Sequence, residues 1–252
     1  MAAVAPEQDA VIARVEAQFA GRDPAAAANL LAFGEAVRRT VAVINVSASW
    51  AVSFLKSDKL LYASYAPLVA AGARLPARFA DDRQRRTVES ALFGTYGEEM
   101  RYAALSLDGT GLVSYGPVTM VLRERAIAHR ASVLEENSYD FSRRHRILAN
   151  EPIPRGYRAP WATRHQLAMA KCGADVDATT TEVHYPQLVL WSDGDRATDR
   201  FMEVSIFGPF NRRAVERIVL PAKPPRGVTR TELNLVRAAA QTLDPPVTVE
   251  VV

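Results

Sequence analysis

Apolar and polar positions alternate with a period of two over residues 201–209 (FMEVSIFGP), the pattern of a strand whose successive side chains face opposite sides. Met202, Val204 and Ile206 give one apolar face. Phe201, Glu203, Ser205 and Phe207 share the other, which sets a carboxylate between two aromatic rings. Such a carboxylate is either half-exposed on a sheet or held in a cleft. Elsewhere the period is helical, and residues 1 to about 90 read as all-helical. Val11, Ile12, Val15 and Phe19 follow amphipathic spacing, and Asp23-Pro24 supplies an N-cap and first-turn pair. Leu30, Leu31, Phe33, Val37, Val41 and Ile44 lie along one side of a long second helix, whose C-terminal half is weakened by the β-branched run 41–46. Helical spacing resumes over 60–72, broken at Pro67, and over 83–93 behind Asp81-Asp82.

From Tyr96 the pattern changes. Residues 101–107 and 114–122 read as strands joined by the turn 108–111, with Pro117 at an edge or a strand start. A short basic turn or helix (123–130) leads to a segment, 131–139, that begins extended and ends in a polar loop. Residues 140–160 are irregular and arginine-rich. Helices are expected over 161–171, 211–217 and 231–243, and strands over 188–191, 218–220 and 247–252. Helices first and mostly non-alternating strands later argue for an α+β fold: a helical N-terminal domain, residues 1–90, then a mixed, mostly antiparallel β domain with short helices, residues 91–252.

Composition narrows the chemistry. The chain has 252 residues, 48% hydrophobic and 23% charged, with a net charge of +3 that compels no nucleic-acid partner. Its only lysines are Lys56, Lys59, Lys171 and Lys223, so nearly all the positive charge is arginine, from base composition or for bidentate phosphate and carboxylate contacts. The single cysteine, Cys172, rules out an internal disulfide and a cysteine-built zinc site. His129, His145, His165 and His184 lack ligand spacing, and Asp193, Asp195 and Asp199 do not meet the calcium-loop pattern, so no metal is expected. Residues 41–55 are apolar over about 15 positions, short of the roughly 18–20 a membrane span needs, and read as a buried helix. Met1 to Phe19 lacks the basic start and apolar run of a signal peptide. The expected location is cytoplasmic, or secreted by a route without a cleaved Sec signal.

A series of fragments points further: Leu92-Phe93-Gly94 with Tyr96, Tyr102-Ala103-Ala104-Leu105, Tyr115-Gly116-Pro117-Val118 leading to Val121-Leu122, Arg130, Ser138, and Glu203 with Gly208. In order and spacing they resemble bacterial and phage-encoded polymorphic-toxin domains of the ADP-ribosyltransferase-like fold, over residues 90 to 220. The resemblance implies a split, bent β-core that holds NAD as substrate, with an arginine on its first strand, a hydroxyl residue midway and a glutamate on a late strand. The arginine of the pattern falls at Glu99, leaving the neighbouring Arg101; Asn137 stands where the pattern has Asp; Phe201 occupies the position two before the glutamate, where arginine-modifying transferases carry a second acid.

On that resemblance Glu203 is the catalytic candidate, because cleavage of the nicotinamide–ribose bond passes through an oxocarbenium-like state that a carboxylate stabilises. Arg101 would hold the pyrophosphate, Ser138 the nicotinamide-ribose, and Tyr102, Tyr139 and Phe201 would stack on or border the ligand. Glu135-Glu136 would offer an acceptor-side base or be merely solvated. The implied acceptor is a protein or nucleic acid, with an immunity or chaperone protein as a further partner. The competing readings are a non-catalytic protein-interaction or structural protein, and a nucleic-acid-binding module built on residues 143–146.

Overall fold

The computed structural model describes residues 4–63, 80–147 and 153–252, with side chains from residue 6 onwards and, in the helix at 80–93, from residue 87. Among the described residues the fold is α+β, with an eight-stranded, mostly antiparallel sheet and a separate two-stranded ribbon. Two helices open the chain, α1 (Val4–Phe19) and α2 (Pro24–Val37), the second capped by the Asp23 carboxylate on the N–H groups of Ala25 and Ala26.

Here the all-helical expectation for residues 1–90 fails. Val41–Val46 is a strand, β1, followed by the helix α3 (Ala48–Lys56) with Ser47 as its cap. β1 lies in the sheet interior, between β2 (Met100–Ser106) and β3 (Val118–Leu122). A boundary near residue 90 therefore does not separate a helical body from the sheet. Residues 57–63 are not helical either; Tyr62 makes an isolated bridge to Phe210. The rest of the expected 60–72 helix, with Pro67, lies outside the described residues.

Beyond β1 the strands run in the order β10-β9-β3-β1-β2-β8-β4-β5, where β4 is Ala131–Leu134, β5 Arg158–Pro160, β8 Glu203–Phe207, β9 Val215–Leu220 and β10 Thr248–Val251. Among the described residues, only β9 and β10 pair in parallel. Pro117 stands just before β3, an interior strand that loses no ladder bond to it. Residues 140–160, expected to be irregular, hold the end of a helix, α6 (Ser138–Arg144, after α4 at Ala80–Phe93 and α5 at Glu124–Ile127), and all of β5. Residues 148–152 of that stretch lie outside the described residues.

The sheet opens into a fork. β1 and β2 pair only from Val41–Ser106 to Val43–Ala104. Past that point β1 continues with β3 as far as Val46–Val118, and β2 continues with β8 as far as Met100–Phe207. One face of the sheet carries Ile44, Leu105, Met120, Val133, Val204 and Ile206, buried with Phe33, Phe54, Leu167 and Val236 from the helices in the main core. The other face is covered by two smaller clusters. Val43, Ala104, Leu112, Val121, Phe201 and Val219 form one, and Val88, Leu92, Leu134, Phe141 and Ile147 the other. The gap between these clusters and the mouth of the fork coincide.

Candidate active site

Glu203 stands in that gap. The chain leaves the ribbon strand β7 (Arg200–Phe201, paired with β6, Leu190–Trp191) and enters the main sheet at Glu203. In the ladder Glu203 faces Ala104 on one side and Leu134 on the other, one residue from each covering cluster. The alternation read from the sequence holds, but the carboxylate is only 4% exposed rather than solvated. The Ser138 hydroxyl and its backbone N–H both donate to Glu203 Oε2, at 3.3 and 3.4 Å. Asn137, which replaces the acid of the resembled pattern, accepts from the Tyr139 N–H at 2.9 Å and so caps the helix that presents Ser138.

A cavity of about 120 Å³ fills the fork. Its lining includes Glu203, Tyr102, Phe201, Asn137, Asn45 and Arg196. A narrower slot of about 30 Å³, shared by Glu203 and Tyr102, continues past Ser138, Tyr139, Val88 and Glu89. Glu203, Arg101, Tyr102, Ser138, Tyr139 and Phe201 thus each border one of two adjoining spaces, although they come from three separate segments.

Arg101 borders the fork but is poorly placed for the expected role. In the ladder it opposes Ile206, so its side chain leaves the sheet on the face opposite Glu203 and Tyr102. Its guanidinium is 4% exposed and donates to the main-chain carbonyls of Tyr62, Glu98 and Met100 at 3.1–3.2 Å. Burial lowers its pKa, chiefly by desolvation. Arg101 ties the fork to the Tyr62 segment, which stacks on Phe210 with ring centroids 5.0 Å apart.

Arg196 provides the cation that sequence reasoning missed. It lies in the loop between the ribbon strands, and its guanidinium covers the Tyr115 ring at 4.1 Å. The loop is set by Asp193, whose carboxylate accepts from Asp195 N–H at 2.9 Å and the Thr198 hydroxyl at 2.8 Å, contacts that lower the Asp193 pKa. Ser114 donates to Asp199, which ties the ribbon loop to the turn that carries Tyr115. The only sequence signal for this was the Asp193-Gly194-Asp195 turn, which fixes a loop without saying where it points.

Asn45 holds the opposite wall. Its side chain accepts from Leu112 N–H at 2.8 Å and donates to the Gly116 carbonyl at 2.9 Å and the Thr119 hydroxyl at 3.0 Å. Gly116, at φ +150, passes so close to β1 that a Cβ would lie 2.3 Å from the Val46 carbonyl carbon.

Glu135 and Glu136 do not face this cavity. Glu135, 3% exposed, is paired with Arg14 at 2.8 Å and with Arg144, and Glu136 with Arg144 at 2.8 Å. Burial raises the Glu136 pKa, opposed by Arg144. Ligand atoms of Glu135, Glu136 and His145 lie within 4.8 Å of one another, but the guanidiniums already occupy the carboxylates. Among the described residues no helix is long and apolar enough to cross a membrane. Compared with known proteins, the chain matches no family model and no curated sequence.

Proposed function

We propose that the fork is the active site of an NAD-consuming, ADP-ribosyltransferase-like enzyme that acts on a protein or nucleic-acid acceptor. The observation that carries this reading is a carboxylate held 4% exposed at the floor of a cavity, with a hydroxyl donor on one of its oxygens and aromatic side chains along the walls. A carboxylate at the floor of a cavity can stabilise the positive charge of a developing oxocarbenium ion where water is excluded. The C1′–N bond of the nicotinamide riboside breaks, its electron pair leaves with neutral nicotinamide, and the ribose cation is captured by water or by a nucleophile of the acceptor.

The dimensions suit one end of the dinucleotide. About 120 Å³ is below the roughly 300 Å³ at which pockets enclosing whole small ligands begin. The nicotinamide-ribose end would enter the fork while the pyrophosphate stays at the mouth, where Arg196 rather than Arg101 offers a guanidinium on the Glu203 side. Ser138 would orient the Glu203 carboxylate, and Tyr102 and Phe201 would flank the ring. With Phe201 two positions before Glu203, the acceptor is not selected by a second acid at that place.

The test is chromatographic detection of nicotinamide and ADP-ribose after incubating the protein with NAD, alone and with candidate acceptors. Release above the uncatalysed rate is the expected result. No NAD consumption and no heat on titrating NAD would instead favour a non-catalytic interaction protein.

A further inference from the structure

The geometry points to a second ligand site, for a compact di- or triphosphate anion, in an arginine-lined cleft that shares no residue with the Glu203 cavity. The cleft has a volume of about 390 Å³ and lies beyond the end of the β3–β9 ladder. Arg123 borders it from the junction after β3 and Arg125 from the first turn of α5, and Arg212 and Arg213 from the turn before β9. These two pairs are distant in sequence and are brought together by the ladder itself. A bulge shifts the register between Val121 and Leu122, and the Arg123 N–H then bonds the Ala214 carbonyl at 2.8 Å, locking the two turns side by side.

The charges do not cancel. Arg212 is committed, donating to the Leu55 carbonyl at 2.6 Å and pairing with Asp58 at 2.7 Å. Among the described residues Arg123, Arg125 and Arg213 have no ion pair, and the one remaining acid of the lining, Asp244, is exposed and also unpaired. Three arginines and one aspartate without an ion pair among the described residues therefore border one concave surface. Like charges held together in this way are stabilised when an anion enters, and planar guanidiniums match phosphate oxygens two at a time.

The rest of the lining selects the ligand. Its apolar lining is Val215, Leu243, Pro245 and Val247, and among the described residues of the lining there is no aromatic ring to stack a base. The net charge of +3 is small, so the chain as a whole compels no nucleic-acid partner. A bounded cleft with clustered guanidiniums suits several phosphates close together on a small molecule.

The experiment is calorimetric titration of the full-length protein with sodium tripolyphosphate at constant ionic strength, with sodium chloride as control. One saturable site is expected. The Arg123→Ala/Arg213→Ala double variant should weaken it about tenfold or more, since removing even one charge-assisted hydrogen bond has about that effect. Asp244→Asn should tighten binding, whereas Arg196→Ala, at the other cavity, should leave it unchanged. The single charge reversal Arg125→Glu, at an exposed position, gives the same weakening should the double variant fold poorly. Absence of saturable binding, or equal affinity in folded Arg125→Glu, would overturn the proposal. So would a loss that follows Arg196→Ala, or tighter binding of a single-stranded oligonucleotide than of tripolyphosphate.

Discussion

Replacing Ile44 by Ala tests whether the N-terminal segment is part of the sheet or a body of its own. Ile44 is 4% exposed, on the face of β1 that meets the main core, and pairs with Met120 of β3. Truncation removes three carbons, about 2.4 kcal/mol of transfer free energy at roughly 0.8 per carbon. The cavity left behind adds to this, because β1 is held by β3 and cannot collapse inwards, and core Ile→Ala changes cost about 2–5 kcal/mol in total. A destabilisation of about 3–4 kcal/mol is expected, a large fraction of the roughly 5–15 kcal/mol available to a domain. With a urea dependence of about 2–3 kcal/mol per molar, the midpoint falls by about 1–2 M. Urea unfolding should be followed by far-ultraviolet circular dichroism and by tryptophan fluorescence of single-tryptophan variants that retain Trp50, after β1, or Trp191, in the ribbon. Both fluorescence transitions should move together. A destabilisation under about 1 kcal/mol, or a Trp50 transition that shifts while Trp191 stays, would refute the placement of β1 as a shared interior strand.

Further predictions concern buried groups and the cavity mouth. Burial, reinforced by Arg38 and opposed by Glu35, holds the His165 imidazole down at about 4, below its unfolded value of about 6.5. Well above pH 6.5 the ring is uncharged in both states. Between pH about 6.5 and 4 the unfolded chain takes up a proton that the folded one refuses, so stability falls with falling pH by up to about 1.4 kcal/mol per unit, and His165→Gln should flatten that slope in urea titrations. Burial pushes the Cys172 thiol up to about 11, and at 2% exposure it should resist iodoacetamide at pH 8 until the protein unfolds, as peptide mass analysis would show. At the mouth, Arg196→Ala should raise the KM for NAD about tenfold with a smaller change in kcat, as removal of a ground-state phosphate interaction does; an unchanged KM would remove Arg196 from the site.

The fold class was legible because helical and alternating patterns occupy different stretches of the chain, and because caps such as Asp23 are local. β1 was not. As an interior strand buried on both faces it shows a continuous apolar run, which periodicity cannot tell from a buried helix, and it stands directly between two helices. The β-branched residues at 41, 43, 44 and 46 were the available clue. At the site, the face that carries Glu203 could be read from alternation. Its burial could not, since the covering residues come from 88–147 on one side and from 43–121 and 190–219 on the other. The side-chain parity of Arg101 follows from its pairing with Ile206, a register that no local pattern sets. Arg196 sits in a polar loop whose direction depends on the Ser114–Asp199 and Tyr115 contacts.

The central claim rests on the charge of one buried side chain, and the most direct measurement is the rate of nicotinamide release from NAD by the protein and by Glu203→Gln, compared at equal folded concentration. The amide keeps the shape and can still meet the Ser138 hydroxyl, so the melting temperature should hold while the rate falls by about a hundredfold or more, the scale of removing one electrostatic interaction made in the transition state. Equal release by the two proteins would contradict the assignment of Glu203.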